Sequence, residues 1–568
     1  MNQQTPILLC DEQVQHYIAN GYIIVDSNLD PSFHTSVTEQ VAYALENEIP
    51  HPGDNIVPRV PALNVLCDAP TVRGALISLL GSQFAFLPHR FPHNSEPLGE
   101  NQDDENQATE ITAFDSQPKM AKGSISASSW HQDGHASCGR TRWHTFRAAN
   151  VFYFPHDTPL HMGPTRFLAG SHLYATLHDL CPEQAVMQMI PAGSVVIADF
   201  DLAHAGTPNN SNRGRYMVKF VALRTEDPIA PTWDHQEPKW HTPADLSTPH
   251  DLPVAWTSLW NWLRGADRNE GSTVPDVQDL PRLLAGMRSA SQQERLSSLY
   301  DAAAIGAPAV DGLIDALLQT AGQNRHRSPD PKSKAHFGRS ANHLDRFFME
   351  GQFTPEDVAI ALGVIGGPAV PRLVELVHHE DPWIRLNAAY ALGDAGLKAV
   401  GAHIDDVGAL LNDPEGCVIR VALDALCALG TFGPATVKQL HRFLARDIPG
   451  WDVSADSEPR LAMLNQIRYL SSLALLAWVS NTDSPSAEVE AALIDTLDDE
   501  NGYPPLIACL ALERLGSVDA MRAAIRYLRA RCWDSAQNTR PALSGEWTKA
   551  HRKATVARLT ASLKTNET

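Results

Sequence analysis

The 568-residue chain contains no run of about eighteen apolar residues, so no segment reads as a membrane-crossing helix. Its eight cysteines (Cys10, Cys67, Cys138, Cys181, Cys417, Cys427, Cys509, Cys532) include no Cys-x-x-Cys pair. Scattered in this way they suit neither a zinc site nor a disulfide frame, and read as reduced, mostly buried thiols. The opening Met1-Asn2-Gln3-Gln4-Thr5-Pro6 lacks a basic-then-apolar secretory pattern, which sets a cytoplasmic location as the expectation. Positive charge is scarce too: 45 Lys and Arg stand against 66 Asp and Glu, a formal net charge of −21. That balance repels polyanions, so neither nucleic acid nor a membrane surface is expected as a partner. No adenine- or phosphate-binding signature stands out. The expectation left is a protein acting on a small molecule.

What the chain does have is apolar substance, 43% of its residues, and a length that argues for about two to four domains. Asp11 to Asn20 carries Val14, Tyr17 and Ile18 at helical spacing, with Asp11 as cap and Gly21 as stop. Tyr22-Ile23-Ile24-Val25 then reads as a strand. Helices follow around 32–47 and 70–80, and Phe84 to Leu87 is the next strand. Residues 94–129 are polar and read as a mobile loop, either a lid over the site that follows or a solvated insertion. Strand signals at Ala148 to Phe154, Val195 to Phe200 and Tyr216 to Leu223, broken by Pro- and Gly-rich turns, argue for a β-sandwich or barrel, here a jelly roll.

Beyond a linker rich in Pro, Asp, His and Thr, Pro253 opens a short helix with Trp256, Leu259, Trp260 and Leu263 on one face, which suits docking of one domain on another. From about residue 280 the pattern is helical and repetitive. Ala361-Leu362-Gly363, Ala391-Leu392-Gly393 and Ala428-Leu429-Gly430 recur, and Ile305 to Val310 matches Ile365 to Val370. Asp381-Pro382 and Asp413-Pro414 look like helix starts. Such a period indicates an α-solenoid, and the units resemble the short HEAT repeats of phycobilisome lyases. The divisions expected are 1–230, 231–275 and 276–568. An insertion from Arg325 to Arg346 is locally basic and reads as a solvated loop.

Candidate chemistry sits at Trp130-His131-Gln132-Asp133 and at His204. Two imidazoles and one carboxylate are the ligand set of a facial iron(II) site, which leaves one side of the metal open. His204 follows the strand Val195 to Phe200, so it projects from a rigid edge. Arg215 lies eleven residues further on, at the start of a strand. Its guanidinium can grip the distal carboxylate of a dicarboxylic co-substrate, and it is preferred on spacing over Arg213. Gln132 and Trp143 are carried as co-substrate-binding candidates, with core packing an equal reading for Trp143. Other nearby histidines (His135, His144, His156, His161, His172) read as packing or surface groups.

Residues 8–224 resemble the phytanoyl-CoA dioxygenase family of iron(II)- and 2-oxoglutarate-dependent oxygenases. The resemblance rests on Asn20-Gly21-Tyr22, the Trp130 to Asp133 motif, Gly163-Pro164-Thr165-Arg166-Phe167, Gly170-Ser171-His172, and His204 with Arg215. It implies a double-stranded β-helix with iron(II) on His131, Asp133 and His204, 2-oxoglutarate as co-substrate, and oxygen at the remaining position. Decarboxylation to succinate and carbon dioxide would then be coupled to oxidation of a substrate C–H bond. The related halogenases lack the carboxylate, so Asp133 favours hydroxylation or desaturation over halogenation. His161-Met162 stands where the family places an acidic or amide residue, so that rim of the pocket is expected to differ. The resemblance covers well under half the chain. Two other readings stand beside the enzyme acting on a small metabolite. One is an interaction protein whose solenoid binds a protein partner or a second copy, with a sensory or inactive jelly roll. The other is an oxygenase whose substrate is carrier-tethered or macromolecular.

Overall fold

The computed structural model describes residues 5–47, 52–97, 130–133, 140–178, 185–186, 188–323, 326–327, 342–349, 352–445, 463–482, 486–499 and 502–530. The expected lid, beyond residue 97, and most of the basic insertion lie outside the described residues.

Among the described residues, the N-terminal part holds nine strands: β1 (Tyr22–Asp26), β2 (Ala85–Ser95), β3 (Arg140–Thr141), β4 (Ala148–Tyr153), β5 (Arg166–Leu168), β6 (Ala185–Val186), β7 (Ser194–Asp199), β8 (His204–Ala205) and β9 (Arg215–Leu223). Five of them form an antiparallel sheet in the order β1-β7-β4-β9-β2, and β6-β5-β8 form a second, three-stranded sheet. Every residue of β4 and β7 is buried, which is why these strands read as unbroken apolar runs without polar alternation. One face of the large sheet meets the small one through Tyr22, Phe152, Phe167, Val196, Leu202 and Met217. Because side chains alternate along a strand, Asn150 shares that inner face with Phe152, and Arg215 and Lys219 share it with Met217.

The first helix, Asp11–Asn20, ends at Gly21 with φ 81°, a left-handed turn that a side chain would strain. A Cβ there would also stand 2.5 Å from Nδ1 of His172. Gly170 N donates to Asn20 O at 2.9 Å, so the Asn20-Gly21 and Gly170-Ser171-His172 motifs meet as one tight junction. Asp11 is not the cap, which falls to Cys10. Its carboxylate instead accepts from Trp233 Nε1 (2.6 Å), His235 Nδ1 (2.9 Å) and the amides of Gln236 and Glu237, tying the following segment to the first helix.

From Leu280 onward the described structure is mainly helical. Gln292–Ile305, Asp357–Ile365, Pro382–Ala395, Gly416–Leu429, Met463–Ser480 and Tyr503–Leu515 pack each on the next as an inner row. Val310–Leu318, Val370–Leu376, Pro434–Leu444, Ala487–Thr496 and Val518–Arg529 lie behind them as an outer row. Asp381 caps its helix by accepting from Trp383 N at 2.7 Å. The cap of the helix after Asp413 falls to Glu415; Asp413 accepts from Glu415 N at 2.8 Å and holds Arg385 bidentately. The short strands β10 (His326–Arg327), β11 (Phe347–Met349) and β12 (Gln352–Thr354) join β3 in a small mixed sheet bridging the two parts.

The inner row faces the β-sheet part, and residues 141–147 are wedged between them. Thr141 N donates to Asp424 at 2.6 Å, Arg142 Nη2 to Gln352 at 2.8 Å, and Thr145 Oγ1 to Asp394 at 3.2 Å. His144 pairs with Tyr300 at 3.0 Å, and Arg147 reaches Ala428 O at 3.3 Å. The helix Pro253–Leu263 lies in the same seam, with Trp262 stacked under Arg147 and Arg224, each 5.0 Å from its ring centroid.

A second junction ties Tyr503, on the last inner helix, to Asp54 at 2.9 Å. Asp54 also accepts from Arg90 N at 3.2 Å and lies 3.4 Å from His89 Nδ1. Burial there lifts the Asp54 carboxyl to about 7, although its hydrogen bonds and Arg90 pull the other way. A folded-state value above the unfolded one means the native form holds the proton more tightly. Stability from this group is therefore full below about pH 4 and is lost as pH rises through about 7. Urea titrations of wild type and Asp54→Asn across pH 4–8 should show the wild type losing stability relative to the variant over that window. Parallel curves would mean that Asp54 ionises normally.

Candidate metal centre

His131 and His204 lie on antiparallel stretches joined by two backbone hydrogen bonds, His131 N to His204 O (3.1 Å) and His204 N to His131 O (3.0 Å). A pair bonded in this way puts both side chains on one face of the ladder, and the two rings lie 4.3 Å apart between centroids. Asp133, two residues along, returns to that face. Its Oδ1 lies 3.7 Å from His131 Nε2 and its Oδ2 3.7 Å from His204 Nε2, and one ligand atom from each residue falls within 4.8 Å of the others. The structure thus brings together the three residues that the spacing singled out.

His204 is oriented by its own backbone. Nδ1 stands 3.0 Å from Leu202 O, and since a carbonyl only accepts, the ring proton sits on Nδ1 and the Nε2 lone pair faces the group. Burial drives its pKa down to about 3, helped by His131 and Lys219 and opposed by Asp133, so the imidazole is held in its neutral, ligating form. Ser171 braces the same segment: its hydroxyl donates to Leu168 O (2.6 Å) and accepts from Ala203 N (2.8 Å). Two imidazoles and one carboxylate with their ligand atoms turned toward one another suit a divalent iron ion with open positions.

Arg215 points into the same interior. Its Nη1 donates to Thr207 O at 3.1 Å and Met162 O at 3.4 Å, and burial lowers its pKa to about 10. No ion pair to Arg215 occurs among the described residues. A buried guanidinium held by carbonyls and short of a counter-ion suits the carboxylate of a bound molecule. Arg166 lies alongside, donating to Gly206 O at 3.1 Å and standing 5.4 Å over the Trp130 ring. Arg213, the rival on spacing, is exposed.

Two expected co-substrate residues are placed elsewhere. The alternation that turns His131 and Asp133 inward turns Gln132 the other way, where its Nε2 donates to Ser171 O and Tyr174 O, each at 3.1 Å. Gln132 is a strut behind the site. Trp143 stacks on Tyr390 of the inner row at 4.7 Å between centroids, and its aromatic body fills the seam between the two parts.

Sequence reasoning missed Asn150 and Lys219. Asn150 Nδ2 donates to Asp133 Oδ2 at 2.8 Å, and Lys219 Nζ forms an ion pair with the same oxygen. A signal was present. Lys219 is a lone cation in the apolar run Tyr216 to Leu223, four residues from Arg215 and hence on its face.

Residues 100–217 match the family model described as phytanoyl-CoA dioxygenase. No curated protein matches the chain. Among solved structures, the chain is similar to an apo non-heme monooxygenase, ThoJ (17% identity, 42% of this chain, 86% of that one, TM-score 0.28). It is similar as well to the non-heme alpha-ketoglutarate-dependent carbocyclase SnoK from nogalamycin biosynthesis (18%, 39%, 88%, 0.28). Apo HygX from Streptomyces hygroscopicus is a third (10%, 38%, 87%, 0.26). The stretch that supplies His131, Asp133, His204 and Arg215 is therefore the one that matches the phytanoyl-CoA dioxygenase family.

Proposed function

We propose that the protein is an iron(II)- and 2-oxoglutarate-dependent oxygenase that hydroxylates or otherwise oxidises a C–H bond of a small metabolite. The observation that carries this reading is the His131-Asp133-His204 group, with His204 buried and His131 half-exposed, and Arg215, a carboxylate-seeking cation, on the same interior. We read the two sheets as the jelly roll and the two helical rows as a HEAT-like solenoid clamped around it.

His131, Asp133 and His204 would hold the iron, which when bound supplies the oxidative decarboxylation of 2-oxoglutarate and the oxidant for the substrate. Arg215 would receive the distal carboxylate of 2-oxoglutarate and fix its orientation. Retention of Asp133 occupies the position that a halide would need, which supports oxygenation over halogenation. Phe152 and Phe167 set apolar rings against His204, 5.5 and 6.4 Å between centroids. Among the described residues, segment 141–147 is packed against the inner row, which supports a scaffold role for it.

Purified protein with iron(II), 2-oxoglutarate and oxygen should form succinate, with a rate increase in the presence of its substrate from a metabolite library. No metal-dependent succinate formation under any such condition would sink the assignment. Removing a buried charge partner costs about 2–5 kcal/mol, so Arg215→Met should raise the KM for 2-oxoglutarate by on the order of a hundredfold while kcat at saturation changes little. An unchanged KM would remove Arg215 from the co-substrate site.

A further inference from the structure

We propose that Lys219 sets the net charge of the metal centre, weakening metal binding and strengthening binding of the anionic co-substrate. The inference rests on the iron and 2-oxoglutarate reading above and adds to it a residue that reading does not use.

Metal ligation requires both imidazoles to be unprotonated, so the three ligands together carry the single negative charge of Asp133. Lys219 is buried, with 5% of its surface exposed, and its ammonium is ion-paired with Asp133 Oδ2. It cancels that charge, and Nζ stands 5.7 Å from the Phe152 ring centroid. A divalent ion placed on this set would give a centre of +2, where the same set without Lys219 would give +1. Screening by water is weak at such depth, so the difference acts at nearly full strength on whatever enters. A dication is repelled by the nearby ammonium and receives less charge from a carboxylate already engaged by it. A dianionic 2-oxo acid meets one more positive charge. Asn150 supplies the orientation that a neutral donor can supply, holding Oδ2 at 2.8 Å without altering the charge sum. Orientation and charge are thus carried by two different residues.

The prediction has opposite signs for the two ligands, which a purely structural role for Lys219 does not produce. Cobalt(II) and then 2-oxoglutarate are titrated calorimetrically, without oxygen, into the full-length wild type and into Lys219→Met, Lys219→Gln and Lys219→Arg. Both neutral variants should bind cobalt(II) about tenfold to a hundredfold tighter, and their cobalt-loaded forms should bind 2-oxoglutarate weaker by a similar factor. Lys219→Gln keeps a donor toward Asp133 and serves where Lys219→Met does not fold. Lys219→Arg keeps the charge and should behave as wild type. 2-Oxobutyrate lacks the distal carboxylate. It should be weakened by the neutral Lys219 variants and left unchanged by Arg215→Met, separating the metal end of the pocket from the arginine end.

Weaker cobalt(II) binding in the neutral variants would make Lys219 an orienting strut and overturn the inference. Weaker 2-oxoglutarate binding with unchanged cobalt(II) affinity would overturn it too, by making Lys219 a direct co-substrate ligand. A wild type that binds cobalt(II) and 2-oxoglutarate just as its neutral variants do would sink this inference and leave the oxygenase reading standing. A wild type that binds no divalent metal would sink both.

Discussion

Asp133→Ala is expected to reduce succinate formation to below about 1% of wild type, since loss of groups merely supporting a metal ligand already costs 10- to 100-fold. The residue does two jobs that the substitution separates. It is the one carboxylate in the group, so its loss takes the only anionic ligand from the cation. It is also the counter-ion of buried Lys219, and stranding a buried charge costs about 3–5 kcal/mol of folding stability. The variant should therefore melt lower as well as turn over more slowly. Asp133→Ala combined with Lys219→Met should recover most of the stability and none of the activity, because the stranded ammonium is gone while the ligand is still missing. Thermal unfolding and a succinate assay on the same samples check both halves. Full activity in Asp133→Ala would remove the metal assignment. His204→Ala should also abolish turnover, with a smaller stability loss, since no buried charge is stranded.

The second large effect lies in the seam between the two parts. Asp394 has a fully buried side chain that accepts from Arg268 Nη1 at 2.8 Å and from Thr145 Oγ1 at 3.2 Å. Asp394→Ala leaves Arg268 buried beside Tyr300 and Tyr390 with its ion partner gone, a loss of about 3–5 kcal/mol. Against a typical total of about 5–15 kcal/mol this is a large fraction. Urea unfolding should show the midpoint falling sharply, with the sheets and the helices melting together. Removing the chain beyond residue 275 goes further, uncovering Trp143, His144, Thr145 and Arg147 at once, and should give insoluble protein. A truncated form that folds and turns over substrate would show that the helical rows are dispensable to the site.

The metal ligands were legible because their geometry is local. A His-x-Asp pair in extended backbone puts both side chains on one face, and a histidine just after a strand has a fixed direction. The same rule read one step further turns Gln132 away from the group and Lys219 toward it, so both positions were legible as well. Trp143 is different in kind. Its neighbour Tyr390 is contributed by a helix far along the chain, and nothing in the sequence around Trp143 carries that contact. Asp11 and Asp413 show the same limit at helix ends. Each stands where a local rule expects a cap, and each is claimed by a distant partner, Trp233 with its neighbours or Arg385. The strands were recognisable from their apolar runs, while the junction of the two parts was not, because it is built from charged and aromatic residues paired across the chain.

That seam also sets a timetable. Arg147 and its partner Ala428 are separated by 281 positions. At about 5–20 residues per second, a ribosome needs on the order of 15–60 s to deliver the second after the first. During that interval the nascent sheet part carries Trp143 without Tyr390 against it, while Arg147 is held from its own side alone by Asp227 and Trp262. Its completion waits on the last third of translation, and a stalled ribosome would display an adhesive, half-built domain to the chaperones of the cell.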